Sequence, residues 1–215
     1  MINIITADDH AIIRHGLKQM ISEEVNMKIV DEAENGLQIF ELLEKKSYDI
    51  LILDICMPDM GGMEVLNKLK NYENKPKVLM LSVLPDAHYA VRMIKMGASG
   101  YLNKIADIDK LVFAINKIST GGYYISQSLT KKLISMLKLK KDIIVNEKLN
   151  NWEFEILWMI ISGKSVNEIA DALMLSTAEV NKQYSNIFMK MNVDDVSGLL
   201  HHCIVNYLPV DFTYV

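Results

Sequence analysis

Ile50-Leu51-Ile52-Leu53 is a short, unbroken apolar run set between two carboxylates, Asp49 and Asp54. A run without polar alternation suits a strand covered on both faces, and such strands belong to parallel sheets lying under helices. It ends at the carboxyl edge of the sheet, where open α/β folds bind ligands. Met57-Pro58 and Gly61-Gly62 then turn the chain toward a helix. On its own Asp54 need only cap that turn, because aspartate is common there.

The surrounding pattern gives Asp54 company. Ile2 to Thr6, Lys28 to Ala33, Val78 to Leu81 and Gly100 to Leu102 also read as strands. Between the first two, Ile12, Ile13, Leu17, Met20 and Ile21 recur at helical spacing, and Leu37, Phe40, Leu42 and Leu43 do so before Ile50. Further helices fit Glu64 to Leu69, Ala87 to Met96 and Leu111 to Ile118. Five βα units with short loops predict an α/β doubly wound sheet of five parallel strands, with helices on both faces.

Gly121-Gly122 closes the last of these helices. The stretch to Glu147 mixes Lys131, Lys132, Lys138, Lys140 and Lys141 with Leu129, Leu133, Ile134 and Leu137, and reads as a linker carrying one short amphipathic helix with a solvated lysine face. From Leu149 onward only helix signals remain, three of them opened by capping pairs: Asn150 with Glu153, Ser165 with Glu168 and Ser176 with Glu179. The expected division is 1–120, a linker over 121–147, and a small all-α domain over 148–215.

At 215 residues the chain is long enough for two cores. No apolar run reaches the roughly 18 residues of a membrane span, and the N-terminus reads as a strand without a signal-peptide layout, so a cytoplasmic protein with no membrane partner is expected. Cys56 and Cys203 are too far apart in sequence to suggest a disulfide framework or zinc site. A net charge of −4 gives no global attraction to nucleic acid, though a local basic face is compatible with it.

In such a sheet the first and third strands can lie side by side, bringing Asp8 and Asp9 beside Asp54. Three carboxylates so close repel unless a cation neutralises them, and an all-oxygen site with few protein ligands suits Mg²⁺. The fourth and fifth strands deliver Ser82 and Lys104 to the same edge, a hydroxyl and an ammonium able to hold phosphoryl oxygens. The set suits an aspartate attacking a phosphoryl group while cations stabilise the developing charge.

Asp8-Asp9, LILDICMPDMGG around Asp54, LMLSV at Ser82 and GYLNK ending at Lys104 resemble the receiver domain of bacterial two-component response regulators, over essentially all of residues 1 to 118. The resemblance implies a flavodoxin-like, CheY-like fold. It makes Asp54 the phosphoacceptor, Asp9 a direct Mg²⁺ ligand, Asp8 a direct or water-mediated one, and the Cys56 backbone carbonyl a further ligand. Lys104 would pair with the acylphosphate, Ser82 would move toward it, and Tyr101 would be the aromatic that reports the change. The Cys56 side chain is expected to be a small buried hydrophobe. Phosphatases of the haloacid dehalogenase type also use an aspartyl nucleophile, but need a second aspartate two positions on, where this chain has Cys56.

The C-terminal framework of Leu149, Glu155, Leu157, Gly163, Ser165, Glu168-Ile169-Ala170, Leu173, Ser176, Val180, Asn186-Ile187 and Val193 resembles the helix-turn-helix domain of the NarL/FixJ (LuxR-type) regulators. That implies a recognition helix near Thr177 to Met191 entering the major groove of double-stranded DNA. Asn181 and Gln183 could read adenine edges, Lys182 a phosphate or guanine, and Tyr184, Ser185 and Lys190 the DNA backbone. Residues 148 to 208 nevertheless hold four lysines against seven carboxylates, which predicts weak binding by one module. His201-His202 and Cys203 are read as surface or packing residues, because adjacent histidines point to different sides of a helix.

The whole is expected to be a phosphorylation-activated transcriptional response regulator, not a dedicated enzyme, although the receiver assists its own phosphorylation and dephosphorylation. Its partners would be a sensor histidine kinase, DNA and a second copy of itself when active. The competing reading is a receiver whose degenerate helix-turn-helix acts as a protein-interaction module.

Overall fold

The computed structural model describes residues 1–83, 87–126, 130–131 and 149–207. They fall into two compact units, Met1–Ile125 and Ser126–Val215. The linker helix expected within 121–147 lies almost wholly outside the described residues.

The first unit alternates strand and helix: β1 Ile2–Ala7, α1 Ala11–Ser22, β2 Met27–Ala33, α2 Gly36–Leu43, β3 Ile50–Asp54, α3 Gly62–Leu69, β4 Lys77–Ser82, α4 Ala87–Lys95, β5 Gly100–Asn103 and α5 Ile108–Ser119. With a short β6, Tyr124–Ile125, the sheet is parallel with order β2-β1-β3-β4-β5-β6. β3 is central, and each of its five residues is buried. Its Leu51 and Leu53 are fully inaccessible, which accounts for a run with no polar alternation. On one face Ile4, Ile50, Ile52, Leu79, Leu81 and Leu102 pack with Leu17 and Ile21 of α1 and Leu111, Ile115 and Ile118 of α5. Each such side chain contributes about 1.5–3 kcal/mol of burial.

The five expected strands are present, and a sixth joins them. Tyr124–Ile125 form a two-residue β6, pairing Gly100 with Tyr124 and Tyr101 with Ile125. Two residues are too few to show a period, so only the register of β5 reveals them. β3 also runs one residue further than its apolar pattern, because Asp54 still pairs with Leu81 in the ladder.

Within the second unit the described helices are α6 Asn151–Ile161, α7 Val166–Leu173, α8 Thr177–Met191 and α9 Val196–Tyr207. All three capping boxes form: Asn150 with Glu153, Ser165 with Glu168 and Ser176 with Glu179. Ile169, Val180, Ile187, Met191 and Leu199 are fully buried, fixing α8 across α7 and against α9. Gly163 and Met174 supply the left-handed residues that end α6 and α7. At Met174 the turn places a side chain 95% exposed to solvent.

Candidate functional site

The carboxyl ends of β1, β3, β4 and β5 meet at one edge of the first unit. Asp8 follows β1 and is 2% exposed. Its backbone N–H donates to the Ala33 carbonyl at 3.2 Å, and its Oδ1 accepts from the His10 backbone N–H at 2.9 Å. Asp54 ends β3, is 5% exposed, and accepts the Ile55 N–H at 2.8 Å. Lys104, one residue beyond β5, reaches between them, its Nζ lying 2.6 Å from Asp8 Oδ2 and 2.9 Å from Asp54 Oδ2. The Lys104 backbone N–H donates to the Ser82 carbonyl at 2.9 Å, locking the ends of β4 and β5 together.

Electrostatics follow from this crowding. Burial pushes the Asp54 carboxyl above its ordinary value; Lys104 opposes that and Asp8 adds to it. Burial alone would lower Lys104, but the two carboxylates hold its ammonium above the usual range. One ammonium thus serves two buried carboxylates, with Asp9 beside them, about one-third exposed. Asp8, Asp9, His10 and Asp54 each offer a ligand atom, and these atoms lie within 4.8 Å of one another. Apart from His10 the donors are carboxylate oxygens, the set a hard cation such as Mg²⁺ prefers.

The loop after β3 approaches this edge closely, and glycine permits it. A Cβ on Gly62, the first residue of α3, would lie 2.3 Å from the Asp54 carbonyl oxygen. One on Gly36 would lie 2.6 Å from that of Met60, to which Gly36 donates its own N–H. Ser82 and Tyr101 are buried, at 2% and 4% exposure, on β4 and β5. Cys56 corrects an expectation: its side chain is exposed, not a buried hydrophobe. The chain leaves the sheet after Asp54, Ile55 takes the buried position, and Cys56 turns outward. His10 escaped the sequence reading. It occupies the N-cap position of α1 without a side-chain capping bond, its ring Nδ1 lying 2.7 Å from Asp9 Oδ1 and 3.1 Å from Asp8 Oδ1, and its place directly after Asp8-Asp9 was the available signal.

In the second unit the residues singled out for DNA all lie on α8 but do not share one environment. Ala178, Asn181, Lys182, Ser185 and Met189 are exposed at helical spacing, forming one outward stripe. Gln183 and Tyr184 are half-buried, with the Tyr184 ring 5.8 Å from that of Phe188. Lys190 is engaged elsewhere: its Nζ lies 2.6 and 2.8 Å from the oxygens of Glu153, which is 5% exposed. That pair ties the end of α8 to the cap of α6. The Glu179 carboxylate accepts the Ser176 N–H and hydroxyl at 2.9 and 2.7 Å, so it is occupied in the cap. His201 is half-buried, and that burial, with His202 adding, depresses its imidazole to about 4.

Residues 4–116 match the family described as response regulator receiver domain, and residues 147–203 match the bacterial regulatory proteins of the luxR family. The chain is 34% identical over 225 residues to the transcriptional regulatory protein DegU of Brevibacillus brevis, spanning 95% of this chain and 94% of that one. It is 30% identical over 205 residues to the response regulator UvrY of Escherichia coli K12, with the same coverage. Its fold resembles RcsB of Salmonella enterica serovar Typhimurium, solved bound to a promoter with the phosphomimetic BeF3−, at TM-score 0.58 and 22% identity over 95% of this chain and 98% of that one.

Proposed function

This chain belongs to the response regulators that join a receiver to a LuxR-type helix-turn-helix domain, and from that membership we propose that Asp54 is its phosphoacceptor. It is a receiver-regulated, DNA-binding transcription regulator and not a dedicated enzyme. The observation that carries the assignment is the convergence of Asp8, Asp9 and Lys104 on Asp54 at one sheet edge. In the proposed reaction a carboxylate oxygen of Asp54 bonds to the phosphorus of a phosphohistidine on a sensor kinase. The P–N bond breaks, and its electron pair returns to the imidazole.

Asp8, Asp9, Asp54 and the Cys56 carbonyl would hold Mg²⁺, which supplies charge neutralisation for the phosphoryl oxygens. Lys104 already faces Asp54 and would pair with the transferred group. Ser82 would donate to another phosphoryl oxygen, with Tyr101 the aromatic that follows it. The signal is received in 1–120, passes through 121–147, and is read out by 148–215. In that last part Asn181, Lys182 and Ser185 would face the major groove from the exposed stripe of α8, with Gln183, Tyr184 and Lys190 at its margins. Two copies on paired half-sites would compensate for few phosphate contacts per module. Among the described residues no helix is long and apolar enough to cross a membrane, and the proposed setting is the cytoplasm.

Phosphate incorporation from radiolabelled acetyl phosphate tests the assignment: wild type takes up label with Mg²⁺, and an Asp54→Asn variant labelled to the same level would remove Asp54 from the role. The acid-rich second unit favours one other reading, a protein-interaction module. Selection of a shared DNA sequence from a random pool by the phosphorylated protein would exclude it.

A further inference from the structure

Arg14 takes no part in the function as described, yet it is the most deeply buried guanidinium among the described residues, at 8% exposure in the first turn of α1. A buried arginine is costly unless its donors are satisfied. Nη2 donates to Glu34 Oε1 at 2.6 Å; Nε lies 3.5 Å from Glu32 Oε2, an ion pair without a hydrogen bond, while Lys18 Nζ lies 2.7 Å from the other oxygen, Glu32 Oε1. Two cations thus face two carboxylates, so the cluster adds no net charge to the acidic edge. Nη1 does something different: it donates to the backbone carbonyl of Asp8 at 2.7 Å.

We infer that Arg14 is a positioning residue for the metal end of the receiver site, holding the Asp8 peptide so that Asp8 and Asp9 present their carboxylates together. Asp8 is otherwise anchored by its N–H to Ala33 and by side-chain contacts to His10 and Lys104. Its carbonyl belongs to the peptide joining Asp8 to Asp9, so fixing that oxygen fixes the direction in which Asp9 leaves. Asp9 needs this support, since its side chain is about one-third exposed and contacts His10, itself 63% exposed. Mutually repelling carboxylates held in place before the cation arrives bind it more tightly than ones it must gather. The same fork reaches Glu34, beside the Asn35 cap of α2, and the adjoining Gly36 N–H donates to the Met60 carbonyl. The loops after β1, β2 and β3 are thereby joined around the site.

This inference rests on the reading that Asp8 and Asp9 hold Mg²⁺, and the experiment separates the two. Mg²⁺ affinity of the full-length protein is measured by calorimetric titration at a temperature where every variant is folded, with melting followed in EDTA. Arg14→Met is expected to weaken Mg²⁺ binding about 10-fold or more. Arg14→Lys keeps the charge but not the fork, and should stay close to Arg14→Met. Glu34→Gln loosens the ion pair while leaving the bond to Asp8, and should lower the melting temperature with Mg²⁺ affinity within about 2-fold of wild type. Should Arg14→Met not fold, the contrast between Arg14→Lys and Glu34→Gln carries the decision. Equal Mg²⁺ affinity for wild type and the arginine variants overturns the inference, as does a loss in Glu34→Gln as large as theirs. Equal affinity for wild type and Asp9→Asn, or no Mg²⁺ binding at all, would instead remove the metal site itself and the inference with it.

Discussion

Replacing Asp54 by asparagine removes a charge whose balance can be worked from the geometry. At an effective dielectric near 20, the Lys104 ammonium at 2.9 Å attracts the Asp54 carboxylate by about 6 kcal/mol. Asp8, within 4.8 Å, repels it by at least about 3 kcal/mol. The remainder still favours the ionised form, but burial is the largest influence on this group and carries its pKa upward, so the ionised carboxylate is held at a net cost. Asparagine keeps an oxygen for the Ile55 N–H and relieves that cost. In EDTA at pH 7 the variant should therefore be more stable than wild type by about 1 kcal/mol, or about 3–6 °C in the melting temperature of the first unit.

The sign with pH follows from the same shift. A carboxyl whose folded pKa lies above its unfolded value gives stability that is fully present below the unfolded pKa, near 3.9, and lost as pH rises through the folded one. The gap between variant and wild type should be closed near pH 4 and open toward pH 7. Added Mg²⁺ should reverse the order at pH 7, because wild type gains a ligand that the variant lacks. Melting by far-ultraviolet circular dichroism at both pH values, with EDTA and with Mg²⁺, provides the measurement. A variant melting several degrees below wild type in EDTA at pH 7 would refute the reasoning, because the Lys104 ion pair would then outweigh burial.

Both tryptophans, Trp152 and Trp158, lie in the second unit, so fluorescence follows its unfolding separately. Lys190→Met leaves the Glu153 carboxylate buried without its ammonium and should cost about 1–2 kcal/mol in urea unfolding, less than a fully buried pair because Lys190 is 47% exposed. His201, depressed to about 4 against an ordinary 6.5, contributes stability that is present above pH 6.5 and lost as pH falls through 4; the loss should approach about 3 kcal/mol and be absent in His201→Phe. Gly62→Ala would drive a Cβ into the Asp54 carbonyl and should weaken Mg²⁺ binding measurably by calorimetry.

The residues whose place at the sheet edge was legible in the sequence are those that end or follow a strand. Asp54 and Ser82 close apolar runs and Lys104 follows the short strand Gly100–Asn103, and a parallel sheet brings such ends to one edge whatever the details of packing. The capping pairs were equally plain, since a serine or asparagine three residues before a glutamate satisfies helix donors by local chemistry alone. What escaped depends on tertiary register or rotamer. β6 exists only because Tyr124 and Ile125 meet Gly100 and Tyr101, and Cys56 turns outward because Ile55 fills the buried position. Arg14 looks like any basic residue on an amphipathic helix until its fork is seen to close on Asp8, Glu32 and Glu34.

The same distinction changes how the charges of the helix-turn-helix count. Four lysines against seven carboxylates predict weak binding by one module, and several of these groups are already paired within the domain. Glu168 and Glu179 close capping boxes, Glu153 is buried, and Lys190 is spent on Glu153. On α8 the stripe of Ala178, Asn181, Lys182, Ser185 and Met189 carries a single cation, with the exposed Glu179 carboxylate and the paired Lys190 to one side of it. Such a surface gains little from released counterions, which normally supply most non-specific affinity. Under the proposed function, binding then comes from base-edge contacts by Asn181 and its neighbours, each worth about 1–3 kcal/mol, and from the effective concentration gained when two modules act together. A module this weak alone responds steeply to whatever brings copies together, which suits the proposed control of its output by phosphorylation of Asp54.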